Sequence, residues 1–171
     1  MYIATSCETQ SEWSIQLAPI KMHRGTIVVK RRINVPLERT YAAYADAEER
    51  VRWAAPSDTA VFIYDQTDFR VGGFDLARCG AKDDPRFRVE TRYINIEPRE
   101  RIVTADTVHD GDTLLMASIT TMEFSGEAQS TDLKVTVQVT SFVGAEMIEN
   151  TRVGNKGSLA NMAQYLVGTQ A

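Results

Sequence analysis

Residues 114–142 read LLMASITTMEFSGEAQSTDLKVTVQVTSF, two alternating runs joined by Ser125-Gly126. In the second run, every other residue is apolar and the residues between them are polar. The apolar positions are Leu133, Val135, Val137 and Val139, and the polar positions are Lys134, Thr136, Gln138 and Thr140. Such alternation predicts a β-strand with one buried face and one face in water.

The first run predicts a second strand with a less uniform face. Its alternate positions are apolar at both ends and hydroxylated in the middle: Leu114, Met116, Ser118, Thr120, Met122 and Phe124. A mixed face of this kind is typical of a pocket wall. Core hydroxyls bonded to the backbone are the alternative explanation.

Further strand-like segments lie on the N-terminal side of this pair, at residues 26–34, 59–64, 68–77, 87–96 and 101–108. Turn-forming residues separate the later segments, as at Glu97-Pro98 and Asp110-Gly111-Asp112. A run of six strands after the first, with no helix between them, favours an antiparallel meander.

Two short helices are expected after the first strand. Pro36 stands where a helix would have its first residue, and Asp46 with Glu49 resembles a capping box that starts a second helix. Trp53 and Pro56 would end that helix.

A long helix is expected over residues 145–167. Its apolar stripe has helical spacing and consists of Met147, Thr151, Leu159, Met162, Ala163 and Leu166. Gly154 and Gly157 interrupt the helix, which indicates close backbone packing, a kink, or room for another group.

The chain has 171 residues, 43% of them hydrophobic and 25% charged, as expected for one globular domain. Its net charge of -4 argues against nucleic acid as a partner. Two cysteines cannot build a disulfide framework. Neither a signal peptide nor a membrane span is apparent, so we expect a cytoplasmic protein.

Residues 1–24 are expected to be a tail, with residues 1–21 dispensable, and residues 25–168 a single ligand-binding domain.

Several local strings resemble one protein family. Residues 32–36 (RINVP), 69–74 (FRVGGF), 93–98 (YINIEP) and 101–103 (RIV) follow in an order and spacing similar to the heat-shock ATPase activator homologue-like branch of the START-like, polyketide cyclase (SRPBCC) superfamily. The similarity spans roughly residues 26–166. It implies an α+β helix-grip fold, in which a curved antiparallel sheet wraps around a long C-terminal helix.

The resemblance also implies a deep cavity between the sheet and the long helix that holds lipids, polyketides or similar apolar molecules. Where the family usually has Gly-Trp near the start of its last helix, this chain has Gly157-Ser158. An aromatic group that would line the cavity is therefore absent at that position.

Acid-base chemistry in such a cavity would need only one buried carboxylate. The candidates are Glu90, Asp106 and Glu123. If Glu90 and Arg92 face inward with Ile94 and Ile96, they form a buried polar pair, whereas inward-facing Phe87, Val89, Thr91 and Tyr93 would leave that pair in solvent. Asp106 shares a strand face with Ile102, Thr104 and Val108.

No cofactor motif is recognisable, and the two histidines, His23 and His109, lack metal-ligand spacing. Gly72-Gly73 is interpreted as a bend within a strand rather than as a phosphate loop. We therefore expect neither a metal nor a cofactor.

The favoured function is binding of an apolar small molecule without catalysis. The expected ligand-binding residues are Trp53, Phe74, Arg92, Met116, Ser118, Val135, Val137, Met147 and Met162. A cyclase or dehydratase that uses a buried carboxylate and no metal is the first alternative, and a chaperone- or protein-interaction module is the second. The sequence leaves a homodimer open.

Overall fold

A computed structural model describes residues 22–169 as one seven-stranded antiparallel sheet with three helices. The elements are β1 (His23–Ile33), α1 (Leu37–Ala45), α2 (Ala47–Trp53), β2 (Ala60–Gln66), β3 (Phe74–Ala81), β4 (Asp84–Glu97), β5 (Arg101–Asp110), β6 (Thr113–Glu127), β7 (Ser130–Ser141) and α3 (Glu146–Gly168). The expectation that residues 1–21 are dispensable lies outside the described residues.

The strand order in the sheet is β1-β7-β6-β5-β4-β3-β2. Strands β2 to β7 follow one another as a meander, and β1 lies beside β7, so the first and last strands pair. Ile27 and Val29 of β1 lie opposite Val137 and Val135 of β7, and all four side chains are buried. The sheet is curved and unclosed, with β1 and β2 at its edges. The predicted helix-grip α+β fold is therefore confirmed.

Helix α3 packs on β1, β7 and α2. The buried residues of α3 are Leu159, Met162, Ala163 and Leu166, all of them on the apolar stripe that the sequence predicts. We call the side of the sheet that these residues contact the inner face.

The capping residue of α2 follows the sequence prediction. The Asp46 Oδ1 atom accepts hydrogen bonds from the backbone N–H groups of Glu48, at 2.8 Å, and Glu49, at 3.4 Å. Pro36 is the N-cap of α1 rather than its first residue, so the predicted start is wrong by one position.

Gly157 allows α3 to approach the segment after α2. A Cβ atom at this position would lie 2.5 Å from the carbonyl oxygen of Pro56. The Ser158 hydroxyl donates to the Ala54 carbonyl at 2.6 Å, which holds the same contact together. Gly154 has open space around it. Close packing therefore explains Gly157 and does not explain Gly154.

The predicted strand over residues 68–77 is wrong in its first half, because β3 begins only at Phe74. Gly72 has a φ of +80°, and the Gly73 N–H donates to the Arg70 carbonyl at 2.8 Å. A Cβ atom on Gly73 would lie 2.2 Å from the Asp68 carbonyl oxygen. The two glycines thus form a tight turn before the strand, where glycine is the residue type that fits.

Candidate ligand-binding site

A bulge in β4 decides which of its side chains face inward. The pairing with β5 shifts between Tyr93 and Asn95, so that Tyr93 and Ile96 both lie opposite inward residues of β5. Because side chains alternate strictly only where the register is regular, this extra residue reverses the alternation. Glu90 and Arg92 therefore do not share the face of Ile96. The alternative holds, in which Val89, Thr91 and Tyr93 face inward and the Glu90–Arg92 pair lies in solvent.

Glu90, Arg92 and Phe74 lie together on the outer face. The Glu90 and Arg92 side chains are 45% and 50% exposed, and their nearest charged atoms are 3.9 Å apart. The Arg92 guanidinium carbon lies 5.5 Å from the centre of the Phe74 ring. Glu90 and Arg92 also border a shallow groove of about 410 Å³ on this face. Asp106 and Ser118 contribute to the lining of the same groove, so the structure separates these three residues only from the apolar site residues.

The apolar site residues do come together, in the core between the sheet and α3. Met116, Val135, Val137 and Met162 are between 0% and 6% exposed, and Met147 packs against the same cluster. Trp53 is also buried, and its Nε1–H donates to the Ala43 carbonyl at 3.2 Å. These side chains already fill the space beneath α3.

Asp106 points to the inner face, where it lies in register between Thr91 of β4 and Ser118 of β6. Its Oδ2 atom accepts hydrogen bonds from the hydroxyls of Thr120, at 2.7 Å, and Thr104, at 3.0 Å. Burial raises the pKa of the Asp106 carboxyl above its ordinary value, although the surrounding hydroxyls partly oppose this effect. Asp106 is therefore a half-buried carboxyl that takes up a proton more readily than an exposed one.

A buried ion pair that the sequence analysis missed lies on the same face. The Arg50 Nη2–H donates to Asp75 Oδ2 at 2.8 Å, and the Tyr93 hydroxyl donates to the same oxygen at 2.6 Å. The Asp68 backbone N–H donates to Asp75 Oδ1 at 2.9 Å. Arg50, Asp75 and Tyr93 are each no more than 3% exposed. The pair thus links α2 to β3, β4 and the loop before β3.

Aromatic rings enclose the Arg50 guanidinium. Its carbon lies 5.0 Å from the ring centre of Tyr64, 5.6 Å from that of Tyr44 and 5.7 Å from that of Phe69. Burial raises the pKa of Tyr64 to about 12 and also raises the pKa of Tyr44, so both phenols keep their protons at neutral pH. These rings hold a cation whose charge Asp75 already balances.

The sequence carries only a weak signal for this network. Asp75 precedes Ala77 and Cys79 at period-two spacing, and all three face inward in the sheet. Arg50 lies three residues before Trp53, on the buried side of α2. A single charge on each of two short elements does not reveal that they are partners.

Helix α3 leaves part of the inner face uncovered, because it packs on β1 and β7 at one side of the sheet. Val89 and Thr91 of β4 and Asp106 and Val108 of β5 remain partly exposed. We call these four residues the inner patch. The Thr151 hydroxyl oxygen of α3 lies 3.4 Å from the Met116 sulfur, which brings the first half of the helix beside the patch. The patch offers apolar contact together with one carboxyl group.

Two further findings concern the described part of the chain. None of the helices within residues 22–169 is both long and apolar enough to cross a membrane. In the same residues, no three His, Cys, Asp or Glu side chains are grouped as metal ligands would be.

Comparisons with known proteins agree with this architecture. Residues 34–167 match the family model described as Activator of Hsp90 ATPase homolog 1-like protein. A solved structure from Rhizobium loti is 29% identical, with a TM-score of 0.74, and the match covers 85% of this chain and 99% of that one. A structure from Rhizobium leguminosarum is 26% identical, with a TM-score of 0.73, over 85% of this chain and 95% of that one.

A more distant structure shares the fold alone. DynU16, a protein of the dynemicin biosynthetic locus, is 14% identical with a TM-score of 0.62, and the match covers 82% of this chain and 46% of that one. No curated protein matches the chain. Since the family model spans most of the sequence, the chain belongs to the Activator of Hsp90 ATPase homolog 1-like family.

Proposed function

We propose that the protein binds an apolar small molecule on the inner patch, between β4 and β5 and the first half of α3. The observation that carries this proposal is the partly exposed patch itself, where the paired residues Val89 and Val108 lie beside Asp106. Apolar surface that stays accessible beside a packed core favours a ligand that removes it from water, at about 25 cal/mol per Å².

The position of the proposed site differs from the one that the apolar stripe alone favours. Met116, Val135, Val137 and Met162 pack against one another, so a ligand there would have to displace core side chains. The neighbouring patch needs no such displacement. The likeness in fold between this protein and DynU16, a protein of a biosynthetic locus, is compatible with a small-molecule ligand.

The first experiment is native mass spectrometry of freshly purified protein, in which a co-purifying apolar molecule would identify the ligand class. Binding of the apolar dye Nile red is then compared between Val108→Trp and Ile119→Trp. Val108 lies in the inner patch, whereas Ile119 is 41% exposed and lines the groove on the outer face.

We expect Val108→Trp to weaken dye binding by at least about tenfold, because the indole occupies the patch. Ile119→Trp should leave the affinity within about twofold of wild type. The opposite pattern would place the site in the outer groove, and no binding to the wild type would refute the proposal.

A cyclase or dehydratase activity is the second candidate, and the raised pKa of Asp106 favours it. Asp106 would then carry the proton between a bound ketone and solvent. Once a ligand is known, Asp106→Asn should lower its rate of conversion by about a hundredfold or more with binding intact. A rate that stays within tenfold would leave Asp106 a binding group.

A further inference from the structure

The inner patch carries an acidic side chain and no basic one. Asp106 supplies a carboxyl, and the inward positions of β4, β5 and β6 carry no Lys, Arg or His in this described part of the sheet. A ligand on the patch would therefore contact the acidic group of Asp106, and these strands supply no basic side chain next to it.

The buried cation on the inner face, Arg50, is already paired with a carboxylate. Arg50 donates to Asp75 at 2.8 Å and to the Tyr44 carbonyl at 2.9 Å, and three aromatic rings pack around its guanidinium. Its Nε atom has no hydrogen-bond partner among the described residues, but its charge is balanced by Asp75, which weakens the attraction for a second anion.

The Tyr44 hydroxyl adds a neutral polar group to the site. Among the described residues it has no hydrogen-bond partner, and its ring is half-buried against Phe69 and Phe124. The Tyr44 ring also packs beside Trp53 and next to the Arg50 guanidinium, on the inner side of the sheet. A hydroxyl and a carboxyl therefore border the same side of the fold, both able to accept a hydrogen bond from a ligand.

From this arrangement we infer that the ligand of the inner patch is an apolar molecule with a neutral hydrogen-bond donor, such as an alcohol or phenol, and that Asp106 selects it against carboxylic acids. A hydroxyl donates to Asp106 and can accept from Tyr44. A carboxylate cannot donate, and it would place a like charge beside Asp106, which is costly in a partly desolvated site. The inference rests on the proposed binding function.

The test uses two probes that differ only in their polar end, decanol and decanoate, in competition with Nile red at about pH 7.5. At this pH decanoate is ionised, since carboxyl groups of this kind titrate several units lower. We expect decanol to bind the wild type more than about tenfold tighter than decanoate.

Two variants assign the preference to the patch. Asp106→Asn removes the charge and retains the size, so the ratio of the two affinities should fall to within about threefold. Tyr44→Phe should weaken decanol and decanoate to a similar extent, so that their ratio stays near the wild-type value, because a phenol hydroxyl donates to an alcohol and to a carboxylate alike. Glu90→Gln is the matched control, since it removes an exposed carboxyl from the outer face and should keep the wild-type ratio.

Each outcome has a separate meaning. Equal binding of decanol and decanoate by the wild type would overturn the inference and leave the proposed binding function standing. An unchanged ratio in Asp106→Asn, with circular dichroism confirming its fold, would also overturn it. Absence of Nile red binding would refute the binding function itself, and the inference with it.

Discussion

Replacement of Arg50 by methionine should destabilise the protein strongly. Methionine has a similar length and can pack among Tyr44, Tyr64 and Phe69, so the loss of packing is small. The main effect is that Asp75, 3% exposed, loses the cation 2.8 Å away. Breaking a buried ion pair on one side costs about 3–5 kcal/mol.

The remaining contacts of Asp75 set the expected value within that range. The Tyr93 hydroxyl and the Asp68 N–H still donate to its carboxylate, at 2.6 and 2.9 Å. These two hydrogen bonds offset part of the loss, so we expect the free energy of unfolding to fall by about 3 kcal/mol. For a chain of this size, that corresponds to a melting temperature about 6–12 °C lower.

The assay is equilibrium unfolding in urea, followed by tryptophan fluorescence and circular dichroism. The double variant Arg50→Met with Asp75→Asn removes both charges, so it should be about 1–2 kcal/mol more stable than Arg50→Met alone. Arg78→Met is the matched control. Arg78 bonds Asp65 at 2.8 and 2.9 Å, yet the pair is 48% and 44% exposed, and its loss should leave stability nearly unchanged.

Two results would refute this reasoning. One is a decrease of less than about 1 kcal/mol in the free energy of unfolding of Arg50→Met, which would mean that the Arg50–Asp75 pair contributes no more than an exposed ion pair. The other is a double variant less stable than Arg50→Met, which would mean that the Asp75 charge is still compensated when Arg50 alone is replaced.

Two further predictions concern stability. Because burial raises the pKa of Asp106 in the folded state, the contribution of this carboxyl to stability is greatest at low pH and is lost as the pH rises through its folded-state pKa. Asp106→Asn avoids this loss, so it should be more stable than wild type by on the order of 1 kcal/mol at neutral pH and about equally stable near pH 3. Thermal melts of both proteins across this pH range would measure the difference. A difference in stability that does not change with pH would contradict the prediction. In α3, Gly154→Ala meets open space and should add about 0.5–1 kcal/mol, whereas Gly157→Ala would contact the Pro56 carbonyl and should cost about 1–3 kcal/mol. Urea unfolding of the two variants would compare them, and a gain in both would show that α3 does not approach Pro56 as closely as described.

The sequence determines the architecture because its signals are local and periodic. Alternation over residues 133–139 defines a half-buried strand, and the stripe from Leu159 to Leu166 defines the buried side of α3. Asp46 caps α2 through residues two and three positions away. Each of these features depends on neighbours within a few residues, so the pattern alone predicts it.

The tertiary structure decides the composition of the site. A single bulged residue between Tyr93 and Asn95 sends Glu90 and Arg92 outward, and nothing in the alternation indicates where the register shifts. Arg50 and Asp75 are 25 residues apart, and four hydroxyls from three strands surround Asp106. Such groups meet only when the register and the loops are fixed, because contacts between distant elements depend on geometry that no local pattern encodes.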